Sequence, residues 1–311
     1  MKRLTDNKII LVTQKTRLEN LIRRYNTVGQ ARFYIEHHGG DFEDYLAEDS
    51  AYRAAVDEAA AALAAYGRLQ VIDRDFLSGF LFGEQDLVVA VGRDGLVANT
   101  LKYLTVQKLI GVNPDPARWD GVLLPFSAGD LSKVVPEAAE GRRQTREITL
   151  AQATLNDGQR IVGVNDLFIG QRTHASARYR LQIGEEAETQ SSSGVIVSTG
   201  LGATGWLRSV IAGAGGIDRF CGVKGTPALA DGFTWESDYL YYTVREPYPS
   251  KSTGASLVFG QVRGGRPMKI VSQMPENGVI FSDGMENDCL EFNAGASAEI
   301  GVCETRGHLV V

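Results

Sequence analysis

The sequence changes its pattern near residue 147, and this change constrains the fold more than any single motif. Before it, short apolar runs alternate with segments of helical periodicity; after it, strand-like runs follow one another between clusters of Gly, Pro, Asn and Asp. Alternating strands and helices are typical of a parallel α/β layer, and successive short strands are typical of an antiparallel sandwich. We therefore predict an α/β domain over residues 1–130 and an antiparallel β-sandwich over residues 140–311. The apolar last residues, Leu309–Val311, are candidates for a return to the first domain.

The first half contains four apolar runs that predict buried strands: Lys8–Val12, Leu69–Ile72, Leu87–Val91 and Leu109–Val112. Helical spacing of apolar residues predicts helices over Thr16–Asn26 and Ala51–Tyr66. Thr16 and Glu19 have the spacing of a capping box, which marks the start of the first helix. The acidic segment Glu36–Asp49 is predicted as a loop or irregular helix, and the charged segment Arg118–Arg146 as the passage between domains.

The second half begins with a hairpin signal. Asn156-Asp157-Gly158 separates the strand-like runs Glu147–Leu155 and Gln159–Val164. Further strands are predicted at Arg178–Ile183, Val195–Ser198, Tyr239–Val244, Ser256–Val262, Met268–Ser272, Val279–Phe281 and Ala298–Val302. One helix is predicted to interrupt them near Trp206–Ala212.

The composition limits the class of protein. Among 311 residues, 32 Lys and Arg stand against 38 Asp and Glu, and this net charge of −6 argues against broad electrostatic binding of nucleic acid. No apolar run approaches the ~20 residues of a membrane span, and the N-terminus lacks a secretory apolar region. Three distant cysteines without a CxxC pair indicate neither a disulfide framework nor a zinc knuckle. We therefore expect a cytoplasmic protein without membrane or nucleic-acid partners.

The first candidate for chemistry is the turn Gly92-Arg93-Asp94-Gly95, between the strand-like run Leu87–Val91 and a helical segment. A glycine turn that leads into a helix N-terminus presents backbone N–H groups to a phosphate. Asp94 could orient an attacking hydroxyl group there or act through a metal ion. The alternative is an ordinary strand-to-helix turn in which Asp94 caps the helix.

The second candidate is the segment Ser198–Trp206, which contains a literal GxGxxG pattern. A dinucleotide fingerprint requires an opening βαβ unit and a later acidic residue at the end of the next strand, and neither is present here. The pattern leaves a glycine- and hydroxyl-rich turn that is suited to contact a nucleotide, or else a glycine-rich crossover between sheets.

The third candidate is the pair Asn165-Asp166, which follows the run Ile161–Val164. An Asn side chain offers a donor and an acceptor, and an Asp carboxylate accepts hydrogen bonds from vicinal hydroxyls. The same pair is also common in plain turns. A basic group follows, made of Arg172, His174, Arg178 and Arg180, which faces either phosphates or solvent. The four histidines have no HxxxH spacing, so no metal site made of protein ligands is predicted.

In this order, the segments resemble those of the NAD kinase family, which carries a GGDG turn, an Asn-Glu pair, a Ser/Thr/Gly-rich segment and a strand that ends in Asp-Gly. The counterparts here are Gly92-Arg93-Asp94-Gly95, Asn165-Asp166, Ser198–Trp206 and Phe281-Ser282-Asp283-Gly284. The mitochondrial-type branch is the most similar, on the segments Lys15-Thr16-Arg17, Gly111–Pro116 with Gly121, and Arg245-Glu246-Pro247. The similarity spans nearly the whole chain.

The resemblance implies a Rossmann-like N-terminal domain, a nucleotide-binding β-sandwich and nucleotides bound between them. It implies transfer of the ATP γ-phosphoryl group to the 2′-hydroxyl of NAD with Mg²⁺, and assembly into a homodimer or higher homo-oligomer. Carried over by position, Asp94 is the catalytic residue that contacts or deprotonates the hydroxyl. The implied nucleotide-binding residues are Gly92, Arg93, Gly95, Asn165, Asp166, Thr199, Gly202 and Thr204.

The chain departs from the family pattern at the catalytic turn. Arg93 replaces the second glycine, and Leu96 replaces the threonine that follows the turn. If that position has a positive φ, Arg93 costs roughly 1 kcal/mol or more; alternatively, its guanidinium replaces a metal ion or binds a phosphate bidentately. Two other functions stay open: a nucleotide-binding protein without catalysis, and a kinase of the related diacylglycerol-kinase-like superfamily with a lipid or sugar acceptor.

Overall fold

A computed structural model describes residues 6–223, 229, 232–285 and 288–311. The chain divides into two compact units. Unit 1 comprises the residues up to Arg146 together with Gly307–Val311, and unit 2 comprises Glu147–Arg306.

Unit 1 is an α/β unit, as the alternating pattern predicts. Its strands are β1 (Lys8–Thr13), β2 (Arg68–Asp73), β3 (Leu87–Val91) and β4 (Lys108–Val112). Its helices are α1 (Arg17–Tyr25), α2 (Val28–His37), α3 (Phe42–Ala64), α4 (Asp94–Leu101) and α5 (Leu131–Ala139). All four predicted strands are confirmed within one residue at either end.

The strands of unit 1 form a parallel sheet in the order β2-β1-β3-β4. All five residues of β3 and the four central residues of β1 are buried. Such continuous apolar strands are typical of a parallel sheet that is covered on both faces. The long last strand, β16 (Ser297–Val310), enters unit 1 at its end, where His308 and Leu309 pair in parallel with β4.

The helices of unit 1 differ from the prediction around the acidic segment. The capping box of Thr16 and Glu19 at the start of α1 is confirmed. The segment Glu36–Asp49, predicted as a loop or irregular helix, is instead largely regular: α2 extends to His37, and α3 begins at Phe42 with Asp41 as its N-cap. Tertiary packing outweighs the acidic composition there, because Phe42, Leu18, Ala31 and Ile35 form a common apolar cluster. Helix α5 lies within the predicted interdomain passage.

Strands are the main regular elements of unit 2. They are β5 (Thr145–Leu155, whose first two residues belong to unit 1), β6 (Arg160–Gly163), β7 (Asp166–Gln171), β8 (Ala177–Ile183), β9 (Glu186–Ser192), β10 (Val195–Ser198), β11 (Tyr239–Val244), β12 (Phe259–Arg263), β13 (Met268–Ser272), β14 (Gly278–Ser282), β15 (Cys289–Glu291) and most of β16. Helix α6 (Trp206–Phe220) begins where the predicted helix begins and continues past the predicted end at Ala212, through Gly213, Gly215 and Gly216.

These strands form two antiparallel sheets. In the first, the order is β16-β13-β8-β9, with β5 beside β16 and β6 beside β5; in the second, the order is β12-β11-β10-β7-β14-β15. One apolar core contains residues of both, such as Tyr179 and Ile270 from the first sheet and Val197 and Ile280 from the second. This shared core confirms the predicted β-sandwich. β9 has no apolar alternation that would predict it, because its residues Glu186–Ser192 are nearly all polar.

The predicted hairpin is also present. β5 and β6 pair antiparallel across Asn156-Asp157-Gly158, and Gly158 has a φ of +89°. In the described residues, no helix is long and apolar enough to cross a membrane.

Candidate functional site

A cavity of about 440 Å³ lies at the carboxyl ends of the unit 1 strands. Gln14 follows β1, Arg74 follows β2, and Arg93 follows β3, and all three line this cavity. β2 and β3 pair with opposite sides of β1, so the order of the strands reverses here. In open parallel sheets, ligands bind outside the carboxyl ends of the strands at such a reversal. The sheet topology therefore favours this cavity as the ligand site of unit 1.

Tyr52 of α3 bridges the carboxyl ends of β1 and β3 through hydrogen bonds. Its hydroxyl oxygen accepts a hydrogen bond from the Gln14 amide at 2.7 Å and donates one to the Val91 carbonyl at 3.0 Å. The side chain is only 8% exposed, and this burial raises the pKa of Tyr52, so the hydroxyl keeps its proton. The sequence marks Tyr52 as a residue of the buried helix face, but it has no signal for these two bonds.

The turn Gly92-Arg93-Asp94-Gly95 connects β3 with α4. Gly92 is buried, and a methyl group on it would lie 2.8 Å from the Leu96 side chain. Arg93 has a φ of −109°, which is ordinary extended backbone. The strain considered for an arginine at this position is therefore absent. At Gly95, by contrast, an added methyl group would meet open space.

Asp94 is the first residue of α4 and lines the cavity. Its Oδ1 accepts a hydrogen bond from the Leu123 amide at 2.7 Å. No side chain caps the N-terminus of α4, so Asp94 is not the helix cap of the alternative interpretation. The contact with Leu123 fixes the orientation of the carboxylate beside the cavity.

The loop that supplies Leu123 also contributes Trp119 and Asp120 to the cavity. Arg118 in this loop forms an ion pair with Asp44 of α3 at 2.6 Å. Asp44 also forms an ion pair with Arg17 at 2.8 Å. Hydrogen bonds from Arg17 and, secondarily, from Arg118 lower the pKa of Asp44. This chain of charges attaches the loop to α3 and α1.

In unit 2, the three motifs of the sandwich half meet at one place. The Asp283 carboxylate accepts hydrogen bonds from the amides of Asn165 at 2.6 Å and of Val164 at 3.0 and 3.1 Å. In return, the Asp283 amide donates to the Asp166 carbonyl at 3.1 Å. Asp283 has a φ of +53°, a backbone region that Asp tolerates better than most residues. The Asp-Gly turn after β14 thus holds the Asn165-Asp166 turn.

Asp166 is a buried carboxylic acid. It is 7% exposed and stands opposite Ser198 in the pairing of β7 with β10. Burial, and secondarily the nearby Asp283 carboxylate, raise the pKa of Asp166 to about 7. Near neutral pH, its side chain is therefore present both as an acid that donates a hydrogen bond and as a carboxylate that accepts one.

The segment Ser198–Trp206 packs against the same turn. Thr199 is fully buried, and its hydroxyl donates to the Val164 carbonyl at 2.6 Å. The α-carbon of Gly202 lies against the Asn165 carbonyl, and an added methyl group would collide with it. Thr204 is exposed, and its hydroxyl donates to the Leu201 carbonyl at 3.2 Å. Thr199 and Gly202 therefore shape the backbone, whereas Thr204 presents its side chain outward.

The remaining features lie apart from these residues. Arg178 and Arg180 are exposed on β8, as in the solvent-facing interpretation. A cavity of about 880 Å³ is lined by strand residues such as Gln152, Lys269 and Glu299 and contains none of the predicted site residues. Within the described part of the chain, no three His, Cys, Asp or Glu side chains cluster in a way that could hold a metal ion.

Comparison with known proteins gives a match at the level of the fold. No family model and no curated protein sequence matches the chain. An NAD kinase from Archaeoglobus fulgidus, solved with ATP, aligns with a TM-score of 0.56 and 14% identity over 98% of this chain and 93% of its own. A yeast NADH kinase, solved with NADH, aligns with a TM-score of 0.55 and 14% identity over 99% and 84%. This chain therefore has the two-part fold of these NAD kinases.

Proposed function

We propose that the chain is an NAD kinase-like phosphotransferase that moves the γ-phosphoryl group of ATP to the 2′-hydroxyl of NAD. The observation that carries the proposal is Asp94. Its carboxylate lines a cavity at the strand-order reversal, and the Leu123 amide fixes one of its oxygens. A carboxylate in this position suits the orientation and deprotonation of a hydroxyl nucleophile. The fold shared with two NAD(H) kinases supports the same assignment.

We assign to the other predicted residues the roles that the family resemblance implies. Gly92 and Gly95 shape the turn for a phosphate, and Arg93 provides a cation beside it. In unit 2, Asn165 and Asp166 bind the nucleoside part of NAD, because an amide and a half-ionised carboxyl recognise ribose hydroxyls. Thr199 and Gly202 hold this turn, and Thr204 offers a hydroxyl. The mitochondrial-type branch, a homo-oligomer and a cytoplasmic location belong to the same proposal.

Mg²⁺ fits the unit 1 cavity. This ion takes oxygen ligands and needs only one or two protein carboxylates besides phosphates. Asp94 and Asp120 both line the cavity, and their carboxylates would hold it. When bound, Mg²⁺ would neutralise negative charge on the phosphate oxygens.

The test is the formation of NADP⁺ from NAD⁺, ATP and Mg²⁺ by the purified full chain. We expect turnover, and we expect Asp94→Asn to reduce kcat by at least about 100-fold, the usual contribution of a positioned general base. Asp238→Asn, which changes an exposed aspartate of unit 2, is the matched control and should retain full activity. Absence of NADP⁺ with both ATP and inorganic polyphosphate would refute the proposal.

A second function, nucleotide binding without catalysis, is favoured by one observation. Arg93 occupies the catalytic turn, and its guanidinium lies 5.1 Å from the centre of the Trp119 ring. A bulky cation at this point could prevent the approach of an acceptor hydroxyl. This function predicts a thermal shift with NAD(H) or NADP(H) but no turnover, and a gain of kinase activity in Arg93→Gly.

A further inference from the structure

Two arginines that follow neighbouring strands line the unit 1 cavity. Arg74 comes directly after β2 and opens a short 3₁₀ helix, and Arg93 lies between β3 and α4. Both contribute to the same cavity of about 440 Å³. The topology thus brings together two permanent positive charges that are 19 positions apart in the sequence.

Neither guanidinium has a hydrogen-bonded partner among the described residues. Within the described residues, Arg74 and Arg93 form no hydrogen bond and no ion pair closer than 4 Å through their side chains. Several arginines of unit 1 are paired with carboxylates: Arg17 with Asp44 and Glu48, Arg53 with Asp49, and Arg118 with Asp44 and Asp115. Arg74 and Arg93 differ from these in being unpaired within the part of the chain that the structure describes, and they differ from the exposed Arg68 in lining a cavity. Arg74 and Arg93 therefore keep their N–H donors available to a ligand.

The surroundings orient Arg93. The Trp119 ring lies beside the Arg93 guanidinium at 5.1 Å, a contact that holds the cation without using its N–H groups. The acidic residues that line the cavity are Asp94 and Asp120, and Asp94 already accepts a hydrogen bond from the Leu123 amide. Since the Arg93 backbone is relaxed at a φ of −109°, the arginine occupies this turn without conformational cost.

We propose that Arg74 and Arg93 bind the phosphoryl groups of a polyphosphate chain directly, so that binding of this ligand does not require a divalent cation. The inference rests on the proposed function, because it assumes a phosphate ligand in this cavity. A guanidinium binds phosphate oxygens through two parallel N–H bonds and remains charged at all relevant pH values. Two such groups supply the positive charge that a metal ion otherwise brings to a polyphosphate. A role of Mg²⁺ in the transfer step is compatible with this binding mode.

The test is calorimetric titration of the full chain with ATP, once in excess Mg²⁺ and once in EDTA. We expect the Kd in EDTA to lie within about threefold of the Kd in Mg²⁺. In EDTA, Arg93→Gly and Arg74→Gln should each weaken binding by at least about tenfold, since one hydrogen bond to a charged group has this effect. In Mg²⁺, the loss in Arg93→Gly should be smaller, because the metal ion replaces the missing charge.

Arg68→Gln is the matched control, because Arg68 is an exposed arginine on β2 that does not line the cavity. It should bind ATP as the unchanged chain does. Arg93→Lys keeps the charge without the bidentate geometry and should give an intermediate Kd. Thermal unfolding of each variant verifies that it folds.

Titration with inorganic tripolyphosphate distinguishes a nucleotide from a free polyphosphate as the source of the phosphates. Equal affinity for ATP and tripolyphosphate in EDTA supports a site for the chain of phosphates alone; tighter ATP binding shows that the nucleoside adds contacts. ATP binding that is more than about tenfold weaker in EDTA than in Mg²⁺ would overturn the inference and leave the proposed function standing. Absence of binding in both conditions would overturn both.

Discussion

The carboxylate of Asp283 accepts a hydrogen bond from the amide of Asn165 at 2.6 Å, across 118 positions of sequence. Both oxygens of the same carboxylate also accept a hydrogen bond from the amide of Val164. One side chain thereby replaces the backbone partners that the turn between β6 and β7 lacks. The proposed nucleoside-binding pair, Asn165 and Asp166, is held in place by this carboxylate.

Replacing Asp283 should therefore destabilise unit 2. Asp283→Asn keeps one acceptor oxygen and tolerates the positive φ, so we expect a loss of about 1–3 kcal/mol in the free energy of unfolding. Denaturant unfolding at pH 5.5 measures this loss while Asp166 is still largely protonated. The control Asp238→Asn should stay within about 0.5 kcal/mol of the unchanged chain. Equal losses in both variants would contradict the assigned role of Asp283.

The pH dependence of stability should carry the signature of Asp166. Its pKa is raised to about 7 in the folded chain, so between about pH 4 and pH 7 the unfolded chain binds fewer protons than the folded chain. The contribution of Asp166 to the free energy of unfolding therefore falls as the pH rises through this window and levels off above it. Asp166→Asn lacks this titration. We expect its stability relative to the unchanged chain to rise by about 2–4 kcal/mol from pH 4 to pH 7. Parallel pH profiles would show that Asp166 titrates normally.

Tyr52→Phe tests whether the Tyr52 hydroxyl holds the carboxyl ends of β1 and β3 together. The substitution keeps the ring but leaves the Gln14 amide and the Val91 carbonyl without their partner. We expect a loss of about 1–3 kcal/mol in unfolding free energy, and weaker ATP binding because Gln14 lines the cavity. Tyr248→Phe, at a side chain that is 67% exposed, is the control and should change neither quantity. Unchanged stability in Tyr52→Phe would mean that water or a rearranged backbone satisfies both groups.

Two glycines in neighbouring segments should respond oppositely to alanine. In Gly202→Ala, the new methyl group meets the Asn165 carbonyl, so we expect a loss of at least about 2 kcal/mol as the backbone shifts. In Gly213→Ala, the methyl group enters open space on the exposed face of α6, so we expect a gain of about 0.5–1 kcal/mol from helix propensity. Thermal unfolding measures both changes. A Gly202→Ala chain as stable as the original would refute the close approach.

The sequence identifies several residues of the candidate site, but it does not show which of them contact one another. The turn around Asp94 stands out because it follows a buried strand, and Ser282-Asp283-Gly284 stands out only as a short motif at a strand end. That Asp283 holds Asn165 depends on β14 pairing with β7, and β7 itself has no clear sequence signal. Arg74 and Trp119 cannot be recognised as site residues from the sequence, because neither belongs to a local pattern that indicates binding.

The two-part architecture, the four parallel strands and the sandwich follow from sequence patterns alone, because burial imposes an apolar periodicity that is readable within a few residues. Three features become visible only in the folded chain. Arg93 has an unstrained backbone, Arg74 lines the same cavity as Arg93, and the Thr199 hydroxyl donates its hydrogen bond to a backbone carbonyl. These facts depend on contacts between residues distant in the chain, and such contacts leave no trace in local composition. The backbone angle of Arg93 and the hydrogen-bond partners of the Asp283 carboxylate depend on how whole strands pack together. No short segment of sequence encodes that packing.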